Sequence, residues 1–322
     1  MKSNPLDAGL LGAYGNVLLA VDRPADAESA LRTSLAQRPD DPSVLYNLAD
    51  ALRRQKKLSE ALEYLTKSNS LSPNDPDISL SLGSILVEQG RTQEAYPFLI
   101  TAQSSGKYDA LSFYGMARAL EKESRFTDAL ALVQNALRSK PDFPQALAMQ
   151  ASLLIDLNRV SDAAVILAPA LQSYPENPEL LNSAGVLALR QKKLKQAEDY
   201  FQHSLTLKPD YTDALVNHAI SLTLSNRPAE AVPQFHQALQ ADPKNLKAQA
   251  SLAQALFNLH RYPEAADAFA RSVELSPDDP DLRINLSLAL RNAGRVEEAK
   301  KVFADAQELR STLARSAPKS NP

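Results

Sequence analysis

Apolar residues recur along this chain at three- and four-residue spacing in paired stretches, separated by short polar breaks, and the whole pattern returns every 34 residues. Counting from Ala8 gives nine units without insertion or deletion: 8–41, 42–75, 76–109, 110–143, 144–177, 178–211, 212–245, 246–279 and 280–313. Position 20 is alanine in every unit, from Ala27 to Ala299, and position 8 is always small, from Gly15 to Ser287. Position 24 is always large and apolar, as at Leu31, Leu99, Phe201 and Phe303, and position 27 is only Ser or Ala. Position 32 is proline except at Lys107 and Ser311.

Positions 4, 7, 8 and 11 share one face of a first helix, and 20, 24 and 27 share one face of a second. The small residues at 8 and 20 let the two axes approach, and the large residue at 24 fills the space beside them. A turn at positions 14–16 separates the helices, and the Gly and Asn copies of its middle residue suit a left-handed helix end. Asp75 and Asp279, each before a proline, are placed to cap the helices that follow. One such hairpin cannot bury both faces alone, so neighbours stack. The expectation is an all-α protein, an α-solenoid over residues 8–313, with residues 1–7 and 314–322 as extensions.

The order of mostly large apolar residues at 4 and 7, small at 8, Ala at 20, Phe or an aliphatic at 24 and Pro at 32 resembles the tetratricopeptide repeat. Residues 246–279, LKAQASLAQALFNLHRYPEAADAFARSVELSPDD, show the second-helix part well. The resemblance implies a right-handed superhelix of antiparallel helix pairs whose first helices line a concave groove. Departures include polar residues at position 4 (Ser79, Gln249, Arg283), Gln150 at position 7, and Pro169 inside a second helix.

Composition narrows the chemistry. Of 322 residues, 44% are hydrophobic and 23% charged, with net charge -3, so a phosphate-binding surface and hence a nucleic-acid partner are not expected. Without cysteine there is no disulfide, thiolate metal site or cysteine nucleophile. No apolar run approaches membrane-spanning length and the first residues lack a signal-peptide pattern. The chain is expected to be soluble and cytoplasmic as written, or periplasmic if it is a fragment of a longer exported protein.

Candidate catalytic groups are few. His203, His218, His236 and His260 fall at positions 26, 7, 25 and 15, on different faces and outside metal-ligand spacing. His203 and His236 lie on adjacent second helices. His218 stands at a core position, where a satisfied core histidine is the reading. Gly9–Gly15 is glycine-rich but lacks the strand and GK[ST] ending of a phosphate loop, and reads as a loosely formed first helix. Position 16 is basic in every unit, while position 19 is acidic in all but one, where it is Gln196. Mutual pairing accounts for both. No enzyme activity, cofactor or metal site is expected.

The working surface is then the first-helix face at positions 2, 5, 6, 9, 12 and 13. Tyr46, Leu80, Tyr114 and Asn182 stand at position 5, Asn47, Asn217 and Asn285 at position 6, and Asp50 and Arg118 at position 9. Large apolar groups there suggest adhesion, with packing against the next repeat as the alternative for Tyr46 and Tyr114. Amides can grip an extended backbone without reading its side chains. With Asn16 at position 9, the set resembles, incompletely, the asparagine ladder of the O-linked N-acetylglucosamine transferase superhelix. The carboxylate clamp of heat-shock co-chaperones is met only by Asn217 and Lys247 in repeats 6 to 8, too few cations for that role.

These residues predict a protein or peptide partner held by a scaffold or adaptor. The alternative is the non-catalytic arm of a larger protein, such as a glycosyltransferase or a bacterial polysaccharide-secretion machine. Pro5 lies 34 residues before Pro39, so the chain begins like the close of a missing repeat, and SAPKSNP is too short for a solvating last helix. A segment of a longer protein, or end-to-end self-association, is the expectation.

Overall fold

The computed structural model describes residues 7–316, all of their regular structure being helical. Pro5 and the tail beyond Ser316 lie outside the described residues. The helices fall into two compact units divided between Arg159 and Val160, inside the turn of repeat 5. The first unit holds α1 (Ala8–Ala20), α2 (Pro24–Gln37), α3 (Pro42–Arg54), α4 (Leu58–Leu71), α5 (Pro76–Glu88), α6 (Thr92–Ser104), α7 (Asp109–Lys122), α8 (Phe126–Ser139) and α9 (Pro144–Asp156). The second holds α10 (Val160–Ser173), α11 (Pro178–Arg190), α12 (Leu194–Leu207), α13 (Thr212–Leu224), α14 (Pro228–Ala241), α15 (Leu246–Asn258), α16 (Tyr262–Leu275), α17 (Pro280–Asn292) and α18 (Val296–Ser316). Every first helix ends at position 13 and every second helix starts at position 17. Within each unit consecutive helices pack together, which is the α-solenoid expected.

Each joint follows from residue size. The alanines at position 20 are buried, and Leu31, Leu65, Leu99, Val133, Leu167, Phe201, Phe235 and Phe269 at position 24 are fully or almost fully enclosed. A β-carbon on Gly15 would sit 2.5 Å from Leu31 Cγ, and one on Gly185 would overlap the Phe201 ring. The glycines therefore set the inter-helix distance. The first helix is not loosely formed as its glycines suggested; α1 is continuous. Burial of Leu11, Leu18 and Leu19 against its partner outweighs the low propensity of Gly9, Gly12 and Gly15.

The ends of the helices are satisfied in a repeating way. Asp41, Asp75 and Asp279 each accept two backbone N–H bonds at the starts of α3, α5 and α17, a cap contributing about 1 kcal/mol. At each hairpin the position-16 N–H donates to the position-11 carbonyl, from Arg23 to Leu18 (2.8 Å) through Arg295 to Leu290 (2.9 Å). The residue at position 15 is left-handed in every repeat, including Asp22, Lys56, Ser124, Lys192 and His260 as well as the Asn and Gly copies. The buried serines at position 27 add bonds that close the hairpin: Ser34, Ser68 and Ser204 donate to the carbonyls of Ala8, Pro42 and Pro178 at 2.7–2.8 Å.

The basic residues at position 16 pair mostly with position 19 of the same repeat, as in Arg91–Glu94 (2.7 Å) and Arg227–Glu230 (2.7 Å). Lys57 instead reaches Glu28 of the repeat before (2.8 Å), which also accepts from Arg32 and Gln55 (2.9 Å each). Arg32 continues to Glu60 (2.6 Å) and the Tyr64 hydroxyl (2.9 Å). Burial raises the Glu28 pKa, but the bonds from Lys57, Arg32 and Gln55 outweigh it and bring it down from 4.5 to about 2. A depressed carboxylate contributes stability that is present above its unfolded pKa and lost as pH falls through its folded one. Thermal melts between pH 6 and 2 are expected to lose stability below 4.5, and Glu28→Gln to flatten that fall. An unchanged acid slope in the variant would show the network contributes nothing.

Candidate functional site

The first unit places some of the expected first-helix residues around a cleft of about 340 Å³ lined by Asn16 on α1, Pro42, Ser43, Tyr46 and Asn47 on α3, Ser72 at the end of α4, and Asp75, Asp77 and Ile78 at the start of α5. Tyr46 is half-buried and packs on the core of the first three repeats, so one ring both braces the joint and walls the cleft. The Asn16 and Asn47 side chains make no hydrogen bond among the described residues. Asp77 stands at the rim and accepts from Lys107 Nζ (3.0 Å) and the Tyr108 hydroxyl. Burial raises its pKa, but the bonds from Tyr108 and Lys107 outweigh that and hold it below the usual carboxylate range.

Other expected residues are spread out. Asp50 is bound to Arg53 (2.6 Å) and Arg54 (2.9 Å), and Arg54 also donates to the Leu19 carbonyl (2.9 Å), bracing α1 against α3. Leu80 is half-buried against the core that holds Leu86 and Leu99. Tyr114 lies on Phe143, ring centroids 5.0 Å apart. Arg118 is half-buried and carries no ion pair among the described residues.

In the second unit Asn182 and Asn217 lie deeper than a groove-facing position implies: both are buried. Asn217 Nδ2 donates to Asn182 Oδ1 (2.9 Å) and Asn217 Oδ1 accepts from Lys247 Nζ (2.8 Å), a relay through three successive repeats. Asn285 is half-buried with no side-chain hydrogen bond among the described residues. His218 is half-buried beside Phe201, with ring centroids 6.4 Å apart, and its Nδ1 has no hydrogen-bond partner. Burial pushes its pKa down from the ordinary imidazole value. Among the described residues no three His, Cys, Asp or Glu side chains gather as a metal site, and no helix is long and apolar enough to cross a membrane.

Sequence reasoning missed Asp77 and its partners. The signal available was the proline absent from repeat 3, which puts Lys107 and Tyr108 where the other repeats turn.

Profiles described as tetratricopeptide repeat match residues 13–76, 52–111, 120–185, 178–211, 218–280 and 252–314. The chain belongs to the tetratricopeptide-repeat family. No curated protein matches it. Among solved structures, this tetratricopeptide-repeat chain is similar to one in the crystal structure of the APC/C hetero-tetramer Cut9–Hcn1, with TM-score 0.63, 17% identity and 89% of this chain covered. It spans 57% of that chain's length. MamA from Desulfovibrio magneticus RS-1 matches over 53% of this chain and 96% of its own, with TM-score 0.48 and 19% identity. At 17% identity the likeness to the Cut9–Hcn1 chain shows the fold alone, and tetratricopeptide arrays are generally non-catalytic scaffolds.

Proposed function

We propose that this chain is a protein–protein interaction scaffold that holds an extended segment of a partner along its first helices, with the α1–α3–α5 cleft as the main seat in the first unit. The observation that carries the reading is the company of two uncommitted amides, Asn16 and Asn47, beside a half-buried tyrosine in one cleft. Each amide offers donors and an acceptor to a peptide backbone, and the Tyr46 ring adds apolar area at little entropic cost. Asp50, Leu80 and Tyr114 brace the surface, and Arg118 offers an unpaired cation to an acidic side chain. Asn182 and Asn217 act by holding Lys247, and Asn285 supplies a further open amide.

Peptides selected from a random display library on the wild-type chain test this. Tyr46→Ala/Asn47→Ala is expected to weaken them about tenfold or more, or ~1.4 kcal/mol. Retained affinity in a folded double variant would remove the cleft from the proposal. A second reading, the non-catalytic arm of a larger assembly, is favoured by the similarity to Cut9, which is found in a hetero-tetramer.

A further inference from the structure

Every internal joint between repeats uses the same positions. Position 3 of the first helix is buried wherever a repeat precedes it, from Val44 and Ile78 to Ala248 and Leu282, and position 10 is buried at Ala51, Ile85, Ala119, Leu153, Ser221, Ala255 and Ala289. On the other side of the joint, position 24 is enclosed wherever a repeat follows. Its reach is seen at Leu99, whose Cδ2 lies 3.0 Å from where a β-carbon on Gly115 of the next first helix would be. Among the described residues, each half of this joint occurs once without a partner repeat against it.

On α1 the stripe at positions 3, 7 and 10 is Leu10, Tyr14 and Val17, exposed by 56%, 53% and 58%. Three large apolar groups at i, i+4 and i+7 make a face suited to burial. At the other end Phe303 is 45% exposed where its eight counterparts are enclosed, and Val296 is 45% exposed. They border a groove of about 360 Å³ on α17 and α18, lined also by Ser287, Leu288, Arg291, Ala299 and Lys300. This is the seat that a following first helix would take.

We propose that the occupant of this seat is α1 of a second copy, joined head to tail, with Leu10, Tyr14 and Val17 set against Phe303 and Val296 as one more joint of the array. The argument is continuity: stripe and seat carry the positions that already pack together between neighbours within each unit. Such a contact is heterologous, so it leaves one stripe and one seat free and propagates as an open filament unless it closes into a ring. One feature differs from the internal joints. In two of them acidic position 21 meets basic position 16 of the next repeat, at Glu28–Lys57 and Glu198–Arg227, both 2.8 Å, and in the others position 21 is uncharged, as at Leu62 and Val232. At the free seat position 21 is Lys300, held by Glu297 (2.7 Å), and it would face Arg23, held by Asp26 (2.7 Å), so no ion pair spans the contact. The contact is therefore apolar, and screening by salt does not loosen it.

Sedimentation velocity on the full chain from about 1 μM to about 1 mM, a range that detects even a millimolar contact, is the test. The wild type is expected to gain mass with concentration, and no less with added salt. Leu10→Glu/Val17→Glu and Phe303→Glu, whose sites are already exposed, are each expected to remain monomeric with unchanged helical circular dichroism. Mixed one to one they retain one stripe and one seat between them, so a heterodimer and nothing larger should form. A wild type that stays monomeric throughout would overturn the proposal. So would folded variants that still assemble alone, a mixture that stays monomeric or grows beyond two copies, or association loosened by salt. None of these outcomes bears on the α1–α3–α5 cleft, whose residues are left intact.

Discussion

Truncating Phe201 to alanine is expected to destabilise the second unit by about 3–5 kcal/mol, the usual cost of emptying a phenylalanine site in a packed core. The ring is fully enclosed and lies against Gly185, Ala188 and Ala197. Repacking cannot fill the space cheaply, because these neighbours are small and rigid. Repeat arrays unfold by parts, so the loss should be local first. Amide hydrogen exchange is the right measurement: protection in α11 to α14 should fall sharply while α3 and α4 keep theirs. The converse substitution, Gly185→Ala, probes the same joint by overfilling it. Equal loss of protection across both units, or less than about 1 kcal/mol by denaturant titration, would contradict this account of the joint.

Replacing Asn217 by alanine is expected to cost about 1–3 kcal/mol, because Asn182 loses its donor inside the protein and Lys247 loses an acceptor. The size depends on what replaces those bonds, so the informative experiment is a double-mutant cycle. Asn182→Ala and Asn217→Ala should be less than additive in stability, since each single change already breaks the bond between them. Strict additivity would mean that the two amides do not support each other. The cycle also separates structure from recognition: if peptides selected on the wild type lose affinity only in parallel with stability, Asn217 is a bracing residue.

The joints were legible before the structure because they depend on size and period. Alanine at 20 and a bulky group at 24, repeated at a fixed interval, force the same packing each time, and the helix boundaries follow the count. The burial of position 3 was less visible, because its occupants range from Ser112 to Ile78 and carry no common chemistry. The left-handed backbone at Lys56, Lys192 and His260 was hidden for a related reason. Their side chains do not favour it, and the hairpin bonds impose it. Of the candidate site, the position of Tyr46 and Asn47 could be read from their register on α3. The bond between Asn182 and Asn217 could not, because it depends on how two successive repeats superpose rather than on either helix alone. The cluster of Asp77, Lys107 and Tyr108 likewise joins residues about one period apart, through a break in the pattern.

The shared register of the internal joints has a consequence for how such a gene can change. A crossover between two copies of the array, misaligned by one period, would splice the first half of one hairpin to the second half of another. Within a unit, the residues that meet at the splice would be of the same kinds as before. Whole hairpins can therefore be gained or lost in a single recombination event, so the length of the surface offered to partners can vary in steps while each step remains foldable.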